Sequence, residues 1–372
     1  MAANLTTRLG QLTSSPAGGP YTGANKIING DMAIDQRNAG ASALVGVASP
    51  QYFVDRFGYQ CSVTSKMTAG QNYGGVTPPA GFVYYLGAKV TTAYATGAGD
   101  YFSLQQKIEG LNCTDLNWGT ANAKAVTLSF YVYSSVTGTF GGVFQNSAGN
   151  RSYPFTYTIS VASTWELKTI NVAGDTSGTW LTTSGIGMEI AWGLGVGSTY
   201  SGTAGAWAAA NYISATGATN IINTLNATFY VTGVKLEVGS IATPFVPDDY
   251  QVSLAKCQRY YEKSYNQSAK PGAVSTPGQI SLVFYALTVG ATGLCSVGSG
   301  RYKVTKRAAA TMVIYAPSTG TSGVAYDGNA GANTAACSAV NMGEDGYLLY
   351  VSQNSATTSI SLNMHITADA EL

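Results

Sequence analysis

Apolar and polar residues alternate with period two through much of the chain. In VTLSFYVYSS, Val126, Leu128, Phe130 and Val132 share one face and Thr127, Ser129, Tyr131 and Tyr133 the other, as in a strand with one side on a core. FTYTISV repeats the pattern with Phe155, Tyr157, Ile159 and Val161. In IGMEIAWGLGV the apolar set is Ile186, Met188, Ile190, Trp192, Leu194 and Val196, against Gly187, Glu189, Ala191, Gly193 and Gly195. That second face is nearly free of side chains, which predicts that another backbone or a ligand lies close to it. FYVTGVKLEV changes phase at Gly233, which predicts a β-bulge. Turn clusters such as SSVTGT, AGDTSGT and GVGST separate these runs. Their natural closure over 25–247 is an antiparallel jelly-roll sandwich.

The pattern changes at either end. DDYQVSLAKCQRYYEKS lacks Gly and Pro and predicts a helical junction over 248–268. The strand-like runs QISLVFYALTV, TMVIYAP, YLLYVSQ and SISLNMHITAD then follow. They predict a second, smaller all-β domain at 269–372. Residues 1–24 form a leader in which Leu5, Leu9 and Leu12 fall on one side of a short helix before SSPAGGPYTG. It reads equally as a frayed terminus or as a docking peptide that orders on a larger assembly.

Composition narrows the function. Charged residues are 10% of the 372, with 45 glycines and 25 tyrosines, where about 25% charge is usual. With 19 Lys and Arg against 18 Asp and Glu the net charge is +1, so no basic field exists for a phosphate backbone, and nucleic acid is not expected as a partner. A surface polar through Tyr, Ser, Thr, Asn and Gly suits adaptable hydrogen bonding and ring stacking. The same residues also serve the strands and turns of any β-rich fold. No apolar run is long enough to span a bilayer and the start lacks a signal-peptide core, which points to synthesis in the cytoplasm without membrane insertion. Cys61, Cys113, Cys257, Cys295 and Cys337 are scattered without a CxxC pair, as expected of free buried thiols.

Candidate chemistry is sparse. His365 is the only histidine. It alternates with the apolar residues of the last run, which predicts that it points to solvent or to a neighbouring subunit. A catalytic triad would need this residue, and a His/Cys metal site would need several like it. Asp248–Asp249 and Glu344–Asp345 are acidic pairs of the type glycoside hydrolysis uses, but neighbours at linkers and turns read first as solvated or turn-forming groups. Asp31 and Asp35 offer oxygens without a calcium-loop pattern. No cofactor or metal is expected. Exposed rings are the better candidates: Tyr84, Tyr85, Tyr131, Tyr133, Trp180 and Trp207 fall on or near strand faces and loops, where aromatic rings can stack on sugars.

Several runs in fixed order carry a resemblance: NKIINGDMAIDQR, VDRF at 54–57, QKIEG at 106–110 and VTLSFYVYSS. TWELKTINVAGDTSGTW at 164–180, TGVKLEVGSIATPFVPDDY at 232–250 and LAKCQRYYEKS at 254–264 continue it. Together they resemble bacteriophage virion appendage proteins, either tail-fibre-like or head-fibre-like. The resemblance implies a carbohydrate-binding-like jelly roll whose first strand begins in NKIINGDMAIDQR, followed by a smaller, β-sandwich-like domain on which such fibres trimerise. It further implies a flexible leader joining other virion proteins, with Leu5, Leu9 and Leu12 as anchoring candidates, and adhesion of a homotrimer to host-surface glycan without catalysis. A capsid-attached decoration protein and a polysaccharide depolymerase are the alternatives.

Overall fold

The computed structural model describes residues 25–47, 50–285, 294–334, 336–352 and 359–372. Leu5, Leu9 and Leu12 lie outside them. The chain divides into two units. One takes the described part of Met1–Ala33 with Ser42–Phe53 and Phe57–Pro247, and the other takes Ile34–Ala41, Val54–Arg56 and Asp248–Leu372.

The first unit is an antiparallel jelly-roll sandwich. Its strands are β1 Ala43–Leu44, β2 Gln51–Val54, β3 Phe57–Cys61, β4 Met67–Gln71, β5 Leu86–Val90, β6 Tyr101–Glu109 and β7 Val126–Ser134. They continue as β8 Gly138–Gln145, β9 Ser152–Ile159, β10 Glu166–Val172, β11 Ile186–Val196, β12 Ser201–Gly202, β13 Ser214–Ala215 and β14 Thr228–Val238. One sheet runs β1-β4-β5-β14-β7-β10 and the other β2-β3-β6-β11-β8-β9. Consecutive strands thus cross repeatedly between sheets. The predicted alternation is what closes them: Leu128, Phe130, Val132, Met188, Ile190, Trp192, Phe140 and Phe229 are all fully buried. Trp192 sits 5.5 Å from Phe130 and 6.5 Å from Phe57, centroid to centroid. Each such side chain contributes about 1.5–3 kcal/mol of burial.

The glycine face of β11 is covered by the chain itself. A β-carbon on Gly193 would lie 2.6 Å from Ser214 Oγ, and one on Gly195 would lie 2.3 Å from Ile222 Cγ2. The segment carrying the parallel pair β12–β13 and the 3-10 turn Ile221–Asn223 therefore roofs this part of the sheet. The predicted bulge is also present, as a register shift between Thr232 and Lys235 with Gly233 at φ +61°.

NKIINGDMAIDQR is not the first strand that its resemblance implies. Asn29 and Met32 both take φ +60°, which breaks any ladder. Asn25–Gly30 is instead a strap beside β14. Lys26 N donates to Leu236 O at 2.9 Å, and Asn25 Nδ2 donates to Val234 O at 2.9 Å. Gly30 is needed there, because a β-carbon would come within 2.1 Å of Val234 O. Asp35 shapes the next turn by accepting from Asn38 N at 2.8 Å and Gly40 N at 2.7 Å.

The second unit is organised around one long strand. It contains helix α1 Tyr250–Gln258 and strands β15 Tyr261–Lys263, β16 Ile280–Tyr285, β17 Leu294–Arg301, β18 Thr311–Tyr315 and β19 Tyr326–Asp327. The remaining strands are β20 Ala332–Asn333, β21 Ala336–Val340, β22 Gly346–Ser352 and β23 Ser359–Asp369. β23 pairs with β15, β16, β18 and β19, and a separate sheet runs β17-β22-β21. Leu362, Met364, Ile366 and Ala368 of β23 join Ile314, Tyr347, Leu349 and Val351 in one core. The expected helix ends at Gln258, because Tyr261–Lys263 is drawn into register with Asp369, Ala368 and Thr367.

His365 is not at the surface. It is fully buried, stacked on Tyr265 at 3.7 Å, with Nδ1 2.9 Å from Ser264 Oγ and Nε2 2.9 Å from Ser275 O. Ring stacking and two polar partners supplied by the segment after β15 offset the cost of burying it. Cys61, Cys113, Cys257 and Cys337 are buried and in no disulfide. Among the described residues no helix is long and apolar enough to cross a membrane.

Several of the runs behind the family resemblance meet in this unit. Arg37 Nη2 reaches Asp369 Oδ2 at 3.0 Å and Glu371 Oε1 at 3.3 Å, and its guanidinium lies 3.7 Å over Tyr261. Arg56 pairs with Glu371 and lies 3.6 Å over Tyr260. Gln36 Nε2 donates to Asp55 Oδ2 at 2.5 Å and Tyr261 O at 2.7 Å. The segments IDQR, VDRF and QRYYEK thus meet Asp369 and Glu371 in one packed, charged cluster.

Candidate functional site

The outer face of the sheet β1-β4-β5-β14-β7-β10 carries the aromatic residues. The period of β7 sends Tyr131 and Tyr133 outward while Phe130 and Val132 enter the core. Tyr133 faces Tyr230 across the strand pair, with rings stacked at 5.1 Å and 17°. Trp165, just before β10, stands 5.5 Å from Tyr133, and its Nε1 donates to Thr77 O at 2.9 Å. Tyr85 is fully buried beneath this group. It donates to Asn72 O and accepts from Val76 N, each at 3.0 Å, so it supports the face and offers no surface for contact. Burial pushes the Tyr230 phenol up to about 12.

Next to these rings is a groove of about 430 Å³, lined by Phe82, Ser129, Tyr131, Leu167, Gly233, Thr243 and Phe245, among others. Phe82 packs edge-on to Tyr131 at 5.5 Å and against Phe245 at 5.3 Å. Gly233 opens the floor, since a β-carbon there would strike Phe82 at 2.6 Å and Tyr131 at 3.1 Å. A second hollow of about 200 Å³ shares Phe82 and Phe245 and adds Asp31, Val83 and Tyr84.

The wall formed by GSIATPFVP is set by two buried charges on the outward side of β14. Lys235 Nζ lies 3.1 Å from Glu237 Oε2 and donates to Thr243 Oγ1 and to Pro244 O. Glu237 accepts from Thr243 N and Oγ1, each at 2.7 Å. This clamp turns the chain back over the sheet and places Phe245. No charged side chain lines the larger groove. Its chemistry is ring faces plus the hydroxyls of Ser129 and Tyr131, which suits a neutral ligand with both C–H and O–H surfaces.

Trp180 and Trp207 do not join this groove. With Trp118 they form a triangle of rings at 4.7, 5.2 and 5.4 Å. Their indole N–H groups donate inside the protein, from Trp118 to Lys124 O, Trp180 to Asp175 Oδ2 and Trp207 to Ala173 O. Burial works against the Asp175 carboxylate, yet bonds from Arg151, Ser177 and Trp180 hold it below the usual range. Of the six rings singled out by sequence, Tyr131 and Tyr84 line the hollows, Tyr133 adjoins them, Tyr85 is beneath, and the two tryptophans are elsewhere. Phe82, Trp165 and Phe245 also belong to this face, although they precede strands or lie in loops, where alternation carries no information.

Three of the four paired acidic residues have structural partners. Asp248 meets Lys256 Nζ at 2.5 Å, and Asp249 caps α1 by accepting from Gln251 N at 2.9 Å. Asp345 accepts from Thr305 Oγ1 at 2.7 Å. Among the described residues no three His, Cys, Asp or Glu side chains gather as metal ligands.

No protein-family model matches the chain, and no curated protein matches it in sequence. Among solved structures it is similar to the enzymatically active domain of bacteriophage CBA120 tailspike protein 4, with 13% identity over 58% of this chain and a TM-score of 0.30. It spans only 21% of that protein. It is also similar to the family 11 carbohydrate-binding module of Clostridium thermocellum in complex with a β-1,3-1,4-mixed-linked tetrasaccharide, at 12% identity, 54% of this chain, 98% of that one and a TM-score of 0.26. A third is the N-terminal cellulose-binding domain of Cellulomonas fimi β-1,4-glucanase C, at 15% identity, 43% and 80% coverage and a TM-score of 0.20. These scores are low, and the fold assignment rests on the strand order given above.

Proposed function

We propose that this chain is a bacteriophage virion fibre that adheres to host-surface glycan without catalysis. The observation that carries the binding part is the groove beside Tyr131, Phe82 and Phe245, where ring faces and hydroxyls converge with no charged side chain in the lining. Sugar rings present C–H faces to aromatics and hydroxyls to polar groups, so this lining favours a neutral saccharide. The non-catalytic part is supported by the capping and pairing roles of Asp248 and Asp249.

The virion role draws on the ordered runs from NKIINGDMAIDQR to QRYYEKS. In this reading the leader joins the particle and three copies present their grooves together. Tethering makes each further sugar contact intramolecular, at effective concentrations of about millimolar, so weak single sites suffice.

Immunogold labelling of intact particles with antibody against residues 250–372 tests the virion role. Gold at the tail is expected. Gold on the capsid would favour a decoration protein, and unlabelled particles would overturn the assignment to a virion.

A further inference from the structure

A second cleft, of about 330 Å³, opens at the side of the sandwich between the edge strands β9 and β10. Its walls are Tyr153 and Thr156 of β9, Thr169 and Asn171 of β10, and Gly205 from the roofing segment. Gly205 is tied to β9 by its N–H, which donates to Pro154 O at 2.8 Å. At φ +86° it has no heavy atom within 4 Å of where a β-carbon would stand, so this wall is low and open. Tyr153 is half-buried and packs 5.2 Å from Trp207, whose orientation is fixed by its bond to Ala173 O. The Asn171 side-chain amide lies 2.9 Å from Thr127 Oγ1, whose hydroxyl also reaches Gly239 O at 2.7 Å, so the amide is held at the cleft wall. A braced ring, an amide and two threonine hydroxyls therefore meet in a cleft whose lining, like that of the groove, has no charged side chain.

The two sites share a strand. Leu167, Thr169 and Asn171 are the exposed, alternate residues of β10. Leu167 lines the groove, while Thr169 and Asn171 line the cleft. From Leu167 to Asn171 is four residues, roughly 13 Å along an extended strand. We propose that the cleft is a second saccharide subsite and that one linear neutral glycan crosses β10 to fill both. This rests on the groove being a glycan site, and it makes the ligand an internal stretch of a polymer in place of a single terminal sugar.

The test is an array of neutral linear glucans, galactans and mannans of two to ten sugars. It is read with the full chain, Tyr131→Ala, Tyr153→Ala and Thr156→Trp, the last filling the cleft from an exposed position without removing a packed ring. Expected is a loss of about tenfold or more for the longer oligosaccharides only in both cleft variants, and a loss at every length in Tyr131→Ala. Cleft variants that bind every length as the unsubstituted chain does would overturn the second subsite and leave the groove standing. No binding by the unsubstituted chain, or full binding by Tyr131→Ala, would overturn the groove and the subsite with it.

Discussion

Arg37 and Asp369 stand 332 residues apart in the chain, and their side chains meet at 3.0 Å. Around them Arg56, Asp55, Glu371, Tyr260 and Tyr261 complete a cluster in which each guanidinium lies on a tyrosine ring and against a carboxylate. Arg56 is 1% exposed, and its removal takes one of the two guanidinium partners from Glu371, leaving Arg37 at 3.3 Å. Arg56→Ala is therefore expected to cost about 1–3 kcal/mol, read as a lower urea midpoint of the second unit. Arg56→Met combined with Glu371→Gln should lose less than Arg56→Ala, since no carboxylate is left short of a partner.

His365 sets a pH dependence. Nε2 lies against a carbonyl and so carries the proton, while Nδ1 accepts from Ser264, whose oxygen in turn accepts from Ile366 N at 3.0 Å. This arrangement satisfies a neutral ring, and burial moves the histidine below its ordinary 6.5. The unfolded chain then binds the proton more readily than the folded one, so stability is present above about 6.5 and falls as pH drops through the folded value. Melting temperatures between pH 7.5 and 5 should decline in the native chain, with a flatter profile in His365→Gln. Parallel profiles would remove His365 as the cause.

Gly233 joins a backbone requirement to a steric one. Its φ is +61°, and any β-carbon meets Phe82 and Tyr131. Gly233→Ala should cost about 1–3 kcal/mol and narrow the groove, so that glycan affinity falls even where the protein remains folded. Wild-type affinity in this variant would show that ligand does not enter beside Phe82.

Thr243 is the hinge pin of the loop wall. Replacing it by Val leaves Lys235 and Glu237, both under 5% exposed, short of hydrogen bonds. A loss of about 1–3 kcal/mol is expected, with faster hydrogen exchange across 239–247. Exchange at the wild-type rate would mean the wall is held by packing of Phe245 alone.

Much of the fold was legible in the chain. Period two located β7, β11, β14 and β23, and the phase change at Gly233 marked the bulge, because one extra residue reverses every side chain after it. The bare face of β11 predicts close approach, and the roof supplied by residues around Ser214 and Ile222 is what approaches it. The strap at Asn25–Gly30 was not legible, since its backbone depends on bonds to Val234 and Leu236 more than two hundred residues away. His365 was misplaced for a related reason: alternation shows which residues share a face, but it does not say whether a later segment covers that face. At the groove, Tyr131 followed from period, whereas Phe245 depends on the Lys235–Glu237–Thr243 clamp and could only be seen folded.

Glycan binding in the Tyr131 groove is tested by calorimetric titration of a neutral surface polysaccharide from the bacterial host of the proposed fibre into the full chain and into Tyr131→Ala. Saturable binding by the native chain is predicted, weakened by about tenfold or more in the variant at a temperature where both proteins are fully folded. Equal affinity of the two proteins, or no saturable binding by the native chain, would contradict it.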